Sequence, residues 1–348
     1  MSKRMRLLAS ILIPVLLIAI VAGLFFWLQR GNTQGGPQEM VKVTLAPDWT
    51  PNTNYTGVYV AQKQGWYHEQ GIDLQILPYS PNTTPDTLVV NNKADIGISS
   101  MEGVVADAAA GQPVTSIAAI FQHNTSELVA LADSGIKRPR DLDGKIYGGF
   151  GAPYEEAVVR EIIKKDGGKG DFKNVIVNTN VMDALKQKKI DFAWIFEGVD
   201  GVRADREGLK LIRFPIKDHG IPDYYTPTFI TSPRQMKEKP DVLRKFMAAT
   251  AKGYEYAREH PEDAAKMLIE LGGKDAFPDP DFVIASQKYQ SQYYADPGQP
   301  WGWQEPKVWL GYPRFMLQAG AVMDASGKPV KRLEINTLYT NDFLPPKK

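Results

Sequence analysis

A chain of 348 residues with 41 Lys and Arg against 40 Asp and Glu is long enough for two compact domains. Its net charge of only +1 removes the general attraction that binders of nucleic acid and other polyanions exploit. The absence of cysteine excludes disulfides, thiolate metal sites, a cysteine nucleophile and a lipid-modified N-terminal cysteine.

Residues 1–6 form a basic tail with Lys3, Arg4 and Arg6, and residues 7–29 carry no charge. Leu7 to Leu28 is long enough to cross a hydrocarbon core of about 30 Å. The excess positive charge before it predicts a cytoplasmic N-terminus and an extracytoplasmic remainder, a single-pass protein of the cell membrane. A cleaved signal peptide is the alternative, but such peptides have apolar stretches of about 7–15 residues closed by small side chains. This run ends on Leu24-Phe25-Phe26-Trp27-Leu28. Residues 30–40, with Gly31, Gly35, Gly36 and Pro37, read as a flexible tether.

From residue 41 onward, short β-like and helix-like segments alternate, which predicts parallel-rich sheets flanked by helices. A strand over 41–46 is followed by a polar loop over 47–54 and a helix through Gln70, ended by Gly71. A strand over 73–77, a helix near 85–92, a strand over 95–99, a helix over 103–110 and a strand over 114–121 complete a first series. The second series has strands at 128–132, 145–150, 175–178, 191–196 and 209–214. Its helices lie between Pro153 and about Asp166 and over 182–188. Pro153 suits a first helical turn, and Glu155 and Glu156 suit its positive end. Residues 224–231 lead back, and three helical segments follow at 240–271, 279–294 and 306–319. The expected arrangement is an α/β protein of two lobes, with 41–123 starting lobe 1, 124–225 forming lobe 2 and 226–348 returning to lobe 1. A ligand cleft is expected between them, where loops after strand ends converge.

The four histidines, His68, His123, His219 and His260, form no close metal-ligand pair, and neither a Gly-x-Ser-x-Gly elbow nor a Gly-Lys-Ser/Thr phosphate loop occurs. No catalytic residue, metal or cofactor is expected. Gly148-Gly149-Phe150-Gly151 follows a strand and opens a helix, so its amides are candidates to meet a neutral ligand group or to serve only a tight turn. Aromatic residues recur where segments end toward the cleft: Trp49, Tyr154, Trp194, Phe196, Tyr224 and Tyr225. Acids stand beside them: Asp48, Glu102, Glu197 and Asp200. Aromatic faces hold planar ligands, and carboxylates accept their N–H and O–H groups while repelling phosphates and sulfonates. Asp48, Trp49, Asn54, Ser99, Met101, Glu102, Gln122, Gly151, Tyr154, Trp194, Glu197 and Tyr225 form the candidate ligand set. Trp301, Trp303 and Trp309 are read as packing of the last helices on lobe 1.

The loop Asp48-Trp49-Thr50-Pro51-Asn52-Thr53-Asn54-Tyr55-Thr56-Gly57 and the following Val58-Tyr59-Val60-Ala61-Gln62 resemble the opening of the thiamine-pyrimidine-synthase-like family of solute-binding proteins. Gly71-Ile72-Asp73-Leu74, Ala94-Asp95-Ile96-Gly97-Ile98-Ser99-Ser100, Asp141-Leu142-Asp143-Gly144-Lys145 and Tyr339-Thr340-Asn341-Asp342-Phe343-Leu344 extend the likeness over nearly all of the chain from residue 41. The resemblance implies a type II periplasmic-binding-protein fold and a receptor that hands its ligand to an ABC permease and its ATPase. It implies riboflavin as the ligand, with the thiamine precursor formylaminopyrimidine as the alternative. The family also contains a pyrimidine synthase that uses a cysteine-rich iron motif beside the Gly-rich loop. Here Phe150-Gly151-Ala152-Pro153 occupies that place and cysteine is lacking, so an enzyme is not expected.

Overall fold

The computed structural model describes residues 40–152, 154–177 and 181–346. The expected anchor over 7–29 and most of the tether lie outside them. Among the described residues no helix is long and apolar enough to cross a membrane.

The chain runs β1 (Val41–Ala46), α1 (Thr56–Lys63), α2 (Trp66–Glu69), β2 (Ile72–Ile76), α3 (Pro85–Val90), β3 (Ile96–Ser99), α4 (Met101–Ala109) and β4 (Thr115–Ala119). The second lobe holds β5 (Ser126–Leu131), β6 (Ile146–Gly149), α5 (Glu155–Lys165), β7 (Lys173–Ile176), α6 (Val181–Lys186), β8 (Phe192–Phe196), α7 (Val202–Arg206) and β9 (Leu211–Pro215). The chain returns through β10 (Thr228–Thr231) to α8 (Pro233–Glu238), α9 (Pro240–Glu259), α10 (Pro261–Gly272), α11 (Pro280–Gln290) and α12 (Pro306–Gln318).

Two five-stranded sheets result, ordered β2-β1-β3-β10-β4 and β7-β6-β8-β5-β9. β1 pairs in parallel with β2 and β3, and β6 with β7 and β8. β10 runs antiparallel to β3 and β4, and β5 antiparallel to β8 and β9. The sheets are thus mixed. The reversed strands are the two that enter a lobe from the other, a direction that alternation of elements along the sequence does not encode.

Two expected helices are divided, each for a local reason. Gly65 takes φ 74°, a left-handed conformation that glycine adopts without penalty, and separates α1 from α2. Pro261 has no N–H to continue a helix and holds His260 out of helical geometry, at φ −129° and ψ 60°, so α9 ends and α10 begins. Helix starts follow capping chemistry: Thr84, Ser100 and Ser232 accept from the amides of Thr87, Gly103 and Gln235.

In lobe 1, Val43, Leu45, Ile96, Ile98 and Phe229 of the sheet pack with Val58, Phe246 and Tyr254 of the helices. Trp301 is buried there, stacked on Tyr254 at 4.2 Å, and Trp309 stacks on Tyr339 at 5.0 Å, so both serve packing. A second apolar cluster joins Ala46, Met101 and Ile230 to Leu128, Tyr147, Phe192 and Trp194, so the two lobes touch. The crossings between them are tied together: His123 Nδ1 lies 2.5 Å from Asp223 Oδ2 and its Nε2 3.0 Å from Asp296 Oδ1. α11 reaches across as well, with Ser286 Oγ donating to the Gly198 carbonyl (2.5 Å) and Arg203 lying over the Phe282 ring.

Candidate functional site

The loops after β1, β3, β6 and β8 supply most of the candidate residues, because side chains just past strand ends are freed from both sheet faces. On the lobe 1 side, the Tyr55 hydroxyl donates to Asp48 Oδ1 and accepts from the Trp49 amide at 2.9 Å. That buried phenol fixes the loop, and burial pushes the Asp48 carboxyl up to about 6 against the lowering effect of the Tyr55 bond. Trp49 is left 58% exposed, its ring 5.0 Å from Tyr79. Asn54 lies in a short turn held by its amide on Asn52 Oδ1 and its carbonyl on Tyr254 OH.

Ser99 is committed elsewhere, donating to Asp86 Oδ1 at 2.7 Å, and Met101 is fully buried in the apolar cluster with its amide on the Tyr225 carbonyl. Glu102, in the first turn of α4, is 2% exposed. Burial pushes its carboxyl up to about 7, only partly offset by its own amide and the Tyr224 and Ser100 hydroxyls. Its Oε2 finds no hydrogen-bond partner of normal geometry.

On the lobe 2 side, the Gly-rich loop is already occupied. Glu155 Oε2 accepts from the Phe150 amide (2.9 Å) and the Tyr147 hydroxyl (2.7 Å), and Oε1 from the Ala152 amide. The amides expected to meet a ligand group thus hold an internal carboxylate. Gly151 is needed for the turn itself, with φ 90° and Ile176 Cδ1 only 3.3 Å from where a Cβ would stand. Tyr154, Phe150 and Trp194 form an edge-to-face triangle with centroids 6.0–6.3 Å apart. Trp194 is 4% exposed and its indole N–H is unpartnered. Tyr154 also reaches lobe 1, since the charges of Glu102 and Asp48 raise its hydroxyl beyond what burial does.

Glu197 opens a wide π-type turn, Glu197–Gly201, and its carboxylate pairs with Arg213, which also binds Asp205 at 2.7 Å. Glu127, beside it, is raised by burial and by the Glu197 charge. At the crossings, Gln122 Nε2 donates to the Trp303 carbonyl and Tyr225 OH accepts from the Glu305 amide, so both fasten the C-terminal segment. The structure sets Tyr154 against Trp194 and within reach of the Glu102 and Asp48 charges, leaves Trp49 on Tyr79, and gives Ser99, Met101, Gln122 and Tyr225 structural partners. Sequence reasoning passed over Tyr312, which stacks on Tyr224 at 3.9 Å with both hydroxyls buried. Its position in an amphipathic C-terminal helix gave only a packing signal.

The sequence model of the NMT1/THI5-like family matches residues 52–264, a stretch that spans both lobes. The chain belongs to the NMT1/THI5-like family. A formylaminopyrimidine-binding protein of Halalkalibacterium halodurans is 26% identical over 83% of this chain and 89% of its own length. A 4-amino-5-hydroxymethyl-2-methylpyrimidine phosphate synthase of Legionella pneumophila is 29% identical over 87% of this chain and 92% of its own. Among solved structures, an alkanesulfonate-binding protein from Xanthomonas axonopodis superposes with a TM-score of 0.64 at 11% identity, covering 87% of this chain and 99% of that one. The periplasmic aliphatic sulphonate-binding protein of Escherichia coli gives 0.63 at 13% identity, covering 85% and 91%. At these identities the likeness is one of fold, and this member of the family has the two-lobed architecture of periplasmic binding proteins.

Proposed function

We propose that this family member is the extracytoplasmic solute-binding component of an ABC importer. It captures a planar aminopyrimidine of the formylaminopyrimidine type between its lobes and presents the closed form to a membrane permease with its ATPase. The observation that carries this reading is the occupation of the Gly-rich loop by Glu155 opposite walls of aromatic rings and raised carboxyls. Such a cleft repels the sulfonates that its structural neighbours are named for and favours a neutral, N–H-rich ring. The relative named for formylaminopyrimidine binding supports the pyrimidine. Riboflavin, the ligand first implied by family resemblance, has no such support and becomes a comparison ligand. Residues 7–29 serve in this reading as the anchor that holds the receptor at the membrane.

The synthase relatives define the competing reading, in which the same cleft turns over a pyrimidine precursor. Equilibrium titration of the purified chain with formylaminopyrimidine, riboflavin, thiamine and an alkanesulfonate tests both. Saturable binding of the pyrimidine, with the ligand recovered unchanged after incubation with iron, is the expected result. Binding of the sulfonate alone, or conversion of a ligand, overturns the proposal.

A further inference from the structure

Packing near the second crossing leaves buried polar groups unused. Glu102 Oε2 in α4, Tyr224 OH in the second crossing and Tyr312 OH in α12 are all buried and without a hydrogen-bond partner of normal geometry. These residues are 2%, 1% and 0% exposed, and they come from three separate elements. Tyr224 stacks on Tyr312 at 3.9 Å, the Met101 amide next to Glu102 bonds the Tyr225 carbonyl next to Tyr224 at 3.1 Å, and the Glu102 charge acts on both phenols and on Tyr154 from lobe 2. A buried carboxyl with an open oxygen is costly unless a partner completes it, and a two-lobed receptor supplies that partner as ligand.

We propose that Glu102, flanked by the Tyr224 and Tyr312 hydroxyls, reads a ring edge on which an amino group stands beside a ring nitrogen, and holds one shared proton with that nitrogen. One carboxyl oxygen accepts the amino N–H. The other oxygen and the ring nitrogen share a single proton, as acid and neutral ring or as carboxylate and protonated ring, with no bond to carbon made or broken. The groups facing Glu102 are its own amide, Ser100 at the helix cap, Tyr224, Tyr154 and Tyr312. None is a cation that would hold the carboxyl ionised. With its carboxyl pushed up to about 7, the proton is available at neutral pH and is lost above it. This inference rests on the receptor reading and specifies how that cleft selects its ligand.

The test is the pH dependence of binding by the full chain, with formylaminopyrimidine and with the same pyrimidine carrying hydrogen in place of the ring amino group. Wild-type affinity is expected to fall about tenfold per pH unit between pH 7 and 9, the signature of one proton taken up on binding. The deaminated analogue is expected to bind at least about tenfold more weakly, because it leaves a buried acceptor unmade. Glu102→Gln carries a fixed donor and acceptor, so several-fold weaker binding with no pH slope is expected. Tyr224→Phe should lose about threefold to tenfold in affinity and keep the slope. A full slope in Glu102→Gln, or equal binding of the deaminated analogue, overturns the proposal. If Glu102→Gln does not fold, the wild-type slope and the analogue decide. Failure of the wild type to bind any pyrimidine overturns the receptor reading itself and this proposal with it.

Discussion

The carboxylate of Glu155 sits on the amides of Phe150 and Ala152 and the hydroxyl of Tyr147. Truncation to alanine strands these donors in a half-closed loop, at about 1–3 kcal/mol for an unmet buried group. A drop in thermal unfolding temperature of lobe 2 is therefore expected for Glu155→Ala, and an unchanged transition would mean the loop holds itself without the carboxylate. Trp49 stands at the opposite extreme, 58% exposed beside Tyr79. Its replacement by alanine should leave stability unchanged and weaken binding of a planar ligand by about 1–3 kcal/mol, the worth of one aromatic stacking face. Titration calorimetry reads this directly, and undiminished affinity would place the ligand elsewhere.

At the scale of elements, the signature run 57–62 turns out to be partly a packing device. Gly57 and Gly253 let α1 and α9 approach so closely that a Cβ on Gly253 would lie 1.9 Å from the Gly57 carbonyl oxygen. Gly253→Ala forces these helices apart and is expected to cost about 3 kcal/mol or more, measured by chemical denaturation; a loss below 1 kcal/mol would refute so tight a contact. The crossings depend on His123, which joins Asp223 to Asp296. Both ring nitrogens donate only when the imidazole is charged, and the Asp223 hydrogen bond leads the causes that raise its pKa above 6.5. A raised folded-state pKa gives stabilisation that is complete below the unfolded value near 6.5 and fades as pH rises through the folded value. The difference in melting temperature between wild type and His123→Ala should accordingly be greatest below pH 6.5 and shrink above it. A difference that is flat with pH would show that the imidazole acts as a neutral spacer.

For the whole molecule, residues 41–348 form one compact unit. A fragment beginning at Gln38 is therefore expected to fold and to bind the pyrimidine with the affinity of the full chain; a fragment that aggregates or binds more weakly would assign the leading residues a part in the fold or the site. Much of this was legible beforehand. Strand and helix positions follow from hydrophobic alternation and from breaks such as Gly71, because these act within a few residues. The aromatic-plus-acid pairs at strand ends single out Asp48, Trp49, Glu102 and Trp194 as candidates for the same local reason. Reversal of β5 and β10, the Gly57–Gly253 contact, the capture of the Gly-rich loop by Glu155 and the meeting of Tyr224 with Tyr312 are different in kind. They depend on where distant segments lie in space, 196 positions apart for the two glycines. Local propensity carries no information at that separation. Sequence determined which residue types were available to a ligand; tertiary packing decided which of them were used up by the protein itself and which stayed open.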